Sequence, residues 1–270
     1  MIIGQKKILD YINTSLSQFP SFTILVAPQG SGKRILAHYI ADRLGAEYAP
    51  CGVKVDEVRE VIETAMTVQT KVVYCFEDAD NMRNEAKNSM LKITEEPPKN
   101  AYFIMTVEND GNILDTIKSR AVVLHLEPYT RDEISQYLDS GKFISSDYDK
   151  DLVCDIATTP RQAELLFAYG EDFIDYVNLV IDNIAEVEPA NAFKSSKMLS
   201  FKKEDVDKYD LVLFWSMFNA LCLRRITEDP LRYAHGISVT SPFIYKATRM
   251  GVNLGQLYDS WVFKIREAWL

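Results

Sequence analysis

The first residues whose types and spacing can do chemistry are Ala27-Pro28-Gln29-Gly30-Ser31-Gly32-Lys33-Arg34. They follow an apolar run and open onto a helical pattern, the context that a phosphate-binding loop of the form G-x-x-x-x-G-K-[ST] requires. Gly30 and Gly32 let backbone N–H groups turn inward around a phosphate with Ser31 between them, Lys33 meets the terminal phosphates, and the helix N-terminus adds partial positive charge. Two positions depart from the pattern. Ala27 stands where the first Gly belongs, a change the loop tolerates. Arg34 stands where a Ser or Thr hydroxyl binds Mg²⁺, and a guanidinium donates hydrogen bonds but cannot ligate a cation.

Acids come next, at the end of a second apolar run: Val72-Val73-Tyr74-Cys75-Phe76-Glu77-Asp78-Ala79-Asp80. In nucleotide hydrolases of this build the first acid positions Mg²⁺ and the next, normally Glu, activates water. Here the order is Glu77 then Asp78, so each carboxylate is displaced by about one methylene. A misplacement of about 1 Å costs on the order of 100-fold in rate. The pattern therefore implies descent from an ATP site together with impaired metal-assisted hydrolysis. No cofactor is assigned with certainty, and ATP with Mg²⁺ stays open.

The elements that must position these groups alternate along the first half. Phe22 to Val26, a segment near Glu47 to Pro50, Val72 to Phe76, Tyr102 to Val107 and Ala121 to Leu126 read as five strands. Between them Ile35, Leu36, Tyr39 and Ile40, then Val55, Val58 and Ile62, then Ala86, Met90 and Ile93 recur at the spacing of a helix with one buried face. This alternation predicts an α/β fold with a five-stranded parallel sheet covered on both sides. After Pro128 the strand-like runs stop and helices follow, with turns at Gly141, Thr158 to Pro160, Gly170 and Pro189. The polar, Lys-rich segment from Pro189 to Asp210 reads as a connection into the strongly apolar Leu211 to Leu223.

Composition narrows the class. The chain has 270 residues, 47% hydrophobic and 26% charged, enough for two or three domains. No apolar run approaches the roughly 20 residues of a membrane span, and the start lacks the pattern of a signal peptide, so a cytoplasmic protein is expected. The four cysteines, Cys51, Cys75, Cys154 and Cys222, are far apart with no C-x-x-C pair, which points to buried free thiols. A net charge of -9 opposes direct binding of DNA phosphates, whose neutralisation by Lys and Arg drives most nonspecific affinity. If the protein works on DNA, partners do most of the holding.

The phosphate loop, Glu77-Asp78-Ala79-Asp80, the run from Ala86-Lys87-Asn88-Ser89-Met90-Leu91-Lys92 through Ile93-Thr94-Glu95-Glu96-Pro97-Pro98, and Lys118-Ser119-Arg120 together resemble the AAA+ clamp-loader subunits of the bacterial replicative polymerase, DNA polymerase III. The match is ordered and extends over about the first 170 residues, since Thr159-Pro160-Arg161-Gln162-Ala163-Glu164-Leu165 resembles the second sensor helix of that family's lid. The resemblance implies an AAA+ domain over residues 1–128, a small helical lid over 129–170 and an all-α collar over 171–270. The eroded site is similar to that of the delta-prime type of subunit. Arg120 would then be an arginine finger that reaches the ATP site of a neighbouring subunit, where such a group is worth about 10³- to 10⁵-fold in rate. The plain alternative is that Arg120 caps a loop or pairs with an acid. Asn109 and Arg161 stand at the two sensor positions, with a turn-forming Asn and a solvated Arg as their plain alternatives. Ala121 replaces the Cys that usually follows the finger. The four-cysteine zinc module common in the family is absent, with lone Cys51 in its place.

The resemblance also implies partners: clamp-loader ATPase subunits, the delta subunit, the sliding clamp, and primed DNA through the complex, with no membrane. Three functions compete. A largely non-hydrolytic stator donates Arg120; a working gamma/tau-like ATPase uses Lys33 with Glu77 and Asp78; a phosphate-loop scaffold serves some other assembly. Phe214, Trp215, Phe218 and Leu221, and Tyr258, Trp261, Val262 and Ile265, form apolar helix faces suited either to a core or to contact between subunits.

Overall fold

In the computed structural model, which describes residues 2–141, 149–185, 210–247 and 252–270, the apolar runs Phe22–Val26 (β1) and Val72–Phe76 (β3) are buried at every position. Runs buried on both faces belong in the middle of a parallel sheet, where helices cover each side. Glu47–Cys51 (β2), Ala101–Val107 (β4) and Val122–His125 (β5) complete it, in the order β2-β3-β4-β1-β5 with every pairing parallel. The edge strands β2 and β5 contain no fully buried residue. All five strands lie within one residue of the spans read from the sequence.

Side chains alternate between two cores, as the pleat requires. Phe22, Ile24, Tyr74, Phe76, Phe103 and Met105 pack under Val58 and Ala65 of Val55–Thr67 (α3) and under Ala86, Met90 and Ile93. Leu25, Val73, Cys75 and Ile104 face the other way, toward Ile8 and Ile12 of Lys6–Ser15 (α1) and Leu36, Ala37, Ile40 and Ala41 of Lys33–Leu44 (α2). Burying one such aliphatic side chain contributes about 1.5–3 kcal/mol. Two expectations are corrected here. Ile35 is 62% exposed; the buried stripe of α2 is rotated onto Ala37 and Ala41, whose small side chains let the helix lie close on the sheet. The single helix expected around Ala86 to Ile93 is two short ones, Asn84–Ser89 (α4) and Leu91–Glu95 (α5), meeting at Met90.

The described chain divides into two compact units, Met1–Tyr137 with Thr159–Arg161, and Leu138–Thr158 with Gln162–Leu270. The second is helical: the end of Arg131–Ser140 (α7), Lys150–Ile156 (α8), most of Pro160–Tyr169 (α9), Glu171–Asn183 (α10), Leu211–Arg224 (α11), Pro230–Ala247 (α12) and Leu254–Trp269 (α13). The aromatic faces flagged from the sequence are its interior: Phe214, Trp215, Phe218, Trp261 and Ile265 are all at most 2% exposed. Phe214 and Phe218 meet the Trp261 ring edge-on, with centroids 5.5 and 5.2 Å away. Trp261 Nε1 donates to Thr240 Oγ1 at 2.9 Å, so the buried indole N–H keeps a partner. These side chains hold the unit together and are not offered to a neighbouring subunit. The polar stretch 189–209 lies outside the described residues, as does the turn at Pro189. Among the described residues no helix is long and apolar enough to cross a membrane.

Candidate nucleotide-binding site

The loop from Ala27 to Gly32 leaves β1 and enters α2 at the carboxyl edge of the sheet, the edge where open α/β sheets hold ligands. Its entrance is pinned by a hydrogen bond from the Ala27 N–H to the Val107 carbonyl at 3.1 Å. Gly30 and Gly32 take φ of 78° and 81°, the left-handed backbone that turns the chain into the helix. Tyr129 Oη donates to the Ser31 carbonyl at 3.2 Å. Arg161 packs directly on the loop: a Cβ placed on Gly30 would lie 2.3 Å from its Cβ.

Lys33 is only 7% exposed, and its ammonium donates to the carbonyls of Ala27 at 2.6 Å and Pro28 at 3.2 Å. Burial pushes the lysine below its ordinary pKa, while the nearby charges of Glu108, Asp78 and Asp80 pull it back up. Arg34 and Glu77, 43 positions apart, meet: Nε lies 3.1 Å from Oε1. The same carboxylate oxygen accepts from Tyr48 Oη at 2.9 Å, and the Tyr48 ring stacks on His38 with centroids 3.6 Å apart. Burial holds the Tyr48 phenol well above its ordinary pKa, so it remains a donor. Asp78 has a φ of 52°, and its N–H donates to Thr106 Oγ1 at 3.1 Å. Asp80 anchors the tip of β4, its carboxylate accepting from the N–H groups of Glu108 at 2.6 Å and Asn109 at 3.4 Å.

This donor set does not fit Mg²⁺. The ion takes near-octahedral oxygen ligands at about 2.0–2.1 Å, yet the hydroxyl position holds Arg34 and the Glu77 oxygen is shared by Arg34 and Tyr48. Among the described residues no group of three or more His, Cys, Asp or Glu side chains is placed to hold a metal.

The remaining candidates lie as follows. Asn109 Oδ1 accepts from the Gly111 N–H at 2.8 Å, capping the short helical turn Asp110–Asn112. Arg120 sits just after Asp115–Lys118 (α6), its Nη2 2.9 Å from Glu95 Oε1 and its Nη1 donating to the Thr116 carbonyl at 2.9 Å. Tyr48, Thr106, Glu108 and Tyr129 were not singled out from the sequence. Thr106 carries the one legible signal, the one small polar side chain of the strand Ala101–Val107. The cysteines are free; Cys75, Cys154 and Cys222 are buried and Cys51 half-buried. Burial lifts the Cys51 and Cys75 thiols to about 12 and about 11, which keeps them unreactive.

Comparison with known proteins bears on the fold and on the relatives of the chain. A family model described as "DNA polymerase III, delta subunit" matches residues 31–130. The gamma subunit of DNA polymerase III from Buchnera aphidicola of Schizaphis graminum is 27% identical, over 51% of this chain and 47% of that protein. The delta' subunit from Haemophilus influenzae is 33% identical, over 34% of this chain and 29% of that one. The chain thus spans about half the length, or less, of the curated relatives it matches. Among solved structures, a DNA polymerase III gamma subunit-related protein from Thermotoga maritima superposes with a TM-score of 0.55 at 13% identity, covering 97% of this chain and 99% of that one. The RuvB Holliday junction branch migration motor of the same organism gives 0.52 at 17%, covering 96% and 82%. Both structural likenesses speak to the fold alone. Loop, acids, sheet order and sequence relatives converge: over residues 31–130 the chain matches the DNA polymerase III delta family model, and it is similar in sequence to the gamma and delta' subunits of bacterial DNA polymerase III.

Proposed function

We propose that the protein is a delta-prime-like stator of the cytoplasmic DNA polymerase III clamp loader. It hydrolyses little ATP itself and supplies Arg120 to the ATP site of a neighbouring ATPase subunit. The observation that carries this reading is the pairing of Arg34 with Glu77 at 3.1 Å: the two positions that would share Mg²⁺ are bound to each other. Arg120 supports it from outside, since its side chain is 38% exposed and a finger must be within reach of another molecule. ATPase subunits, the delta subunit, the sliding clamp and primed DNA are the partners this role requires. In this reading residues 1–128, 129–170 and 171–270 serve as AAA+ domain, lid and collar, and Asn109 and Arg161 stand at the sensor positions.

A second reading, a gamma/tau-like motor, draws on the longer span shared with the gamma subunit than with delta' and on the retained Lys33. ATP turnover separates the two. The purified chain is measured alone and mixed with its cognate ATPase subunit, as wild type, Arg120→Ala and Lys33→Ala. The stator is inert alone, and in the mixture Arg120→Ala lowers turnover at the site it serves by up to about 10³-fold while Lys33→Ala does not. Robust turnover by the chain alone, abolished by Lys33→Ala, would overturn the stator reading in favour of the motor.

A further inference from the structure

Arg34 and Glu77 occupy the two protein positions between which a divalent cation would sit, and the structure joins them directly. Glu77 is the one ion-pair partner of Arg34 among the described residues, met through Nε at 3.1 Å. A guanidinium has five N–H donors in one plane, so the two Nη groups stay available to phosphoryl oxygens, with which they form charge-assisted bonds. Glu77 is held from a second side by Tyr48 Oη at 2.9 Å, and Tyr48 is itself braced against His38. Turning this carboxylate to a metal would break the ion pair to Arg34 and the hydrogen bond from Tyr48. Apart from Ala27, the rest of the cradle keeps its parts: the left-handed Gly30 and Gly32, the N-terminus of the 12-residue α2, and Lys33 buried with its ammonium 2.6 Å from the Ala27 carbonyl.

We propose that this loop binds a nucleoside polyphosphate without a divalent cation, the Arg34 guanidinium standing in for the metal and Lys33 holding the terminal phosphates. The metal's second job, activating chemistry at the γ-phosphate, has no substitute here, so the ligand is held and not turned over. The inference rests on reading residues 27–34 as a phosphate loop and does not depend on what Arg120 does.

The test is binding of a fluorescent N-methylanthraniloyl-ATP to the full chain, in EDTA and in excess Mg²⁺, for wild type, Arg34→Ser and Lys33→Ala. Wild type is expected to bind equally in the two buffers, within about twofold, and Lys33→Ala to lose about tenfold or more in both. Arg34→Ser restores the hydroxyl and should bind about tenfold better with Mg²⁺ than in EDTA. Wild-type binding that strengthens about tenfold with Mg²⁺ would sink the idea, as would the absence of saturable binding in both buffers. Either failure alongside a turnover loss from Arg120→Ala leaves the stator standing. Metal-independent binding without any effect of Arg120→Ala removes the stator and keeps this site.

Discussion

The guanidinium of Arg120 is parked on Glu95, with Nη2 2.9 Å from Oε1. The carboxylate belongs to α5, and the Arg follows α6, so the pair ties two elements together. The pair is open to water, with side chains 38% and 56% exposed. Exposed pairs of this kind contribute about 0–1 kcal/mol because solvent screens them and ordering two long side chains costs entropy. Leaving Glu95, as the proposed finger role requires, is therefore cheap.

Glu95→Gln is accordingly expected to change stability by less than about 1 kcal/mol and to leave turnover in the mixed complex at or above wild type. Thermal unfolding and steady-state ATP turnover check the two halves. A turnover loss as deep as that of Arg120→Ala would mean that the pair must stay closed for function, contrary to a reaching finger.

Gly30 and Gly45 separate two costs in one experiment. Both take positive φ, 78° and 62°, and a left-handed non-glycine residue costs about 1–2 kcal/mol. At Gly45 an added Cβ meets nothing within 4 Å, whereas at Gly30 it lies 2.3 Å from Arg161 Cβ, close to a backbone and unable to swing away. Gly45→Ala should cost about 1–2 kcal/mol, and Gly30→Ala clearly more, read as the difference in denaturant midpoints. Equal losses would show that Arg161 does not rest on the loop in solution.

In the helical unit Arg224 donates to Asp149 through a short charge-assisted bond, and that bond, ahead of the Leu152 N–H at the cap of α8, holds the Asp149 carboxyl below its ordinary 3.8. A depressed folded pKa means stability that is present above the unfolded value and lost as pH falls through the folded one. The gap in stability between wild type and Asp149→Asn should thus be constant from pH 7 to about 5 and close below about pH 3.8. Denaturant titrations at several pH values read it. A gap that persists unchanged at pH 3 would show that the carboxylate gains nothing from Arg224.

What was legible in the sequence and what was not divides along physical lines. Strand positions are local: Phe22–Val26 and Val72–Phe76 are continuous apolar runs, and nothing but the middle of a sheet accommodates them, so their spans could be read directly. The phosphate loop was legible because its work is done by backbone geometry and the helix N-terminus, which a few consecutive residues determine. The rotation of α2 was not, because 62% exposure of Ile35 follows from how closely Ala37 and Ala41 approach the sheet, a packing decision that apolar spacing does not record. Nor was the splitting of the helix at Met90. The relationships on which the proposals rest, Arg34 with Glu77, Arg120 with Glu95 and Arg161 on Gly30, join positions 43, 25 and 131 residues apart. The sequence determined that these charged groups exist and roughly on which elements they stand. Only the tertiary structure decided which of them pair, because an ion pair forms where the fold brings opposite charges within about 4 Å, and that distance is set by the sheet order and by the helices laid across it.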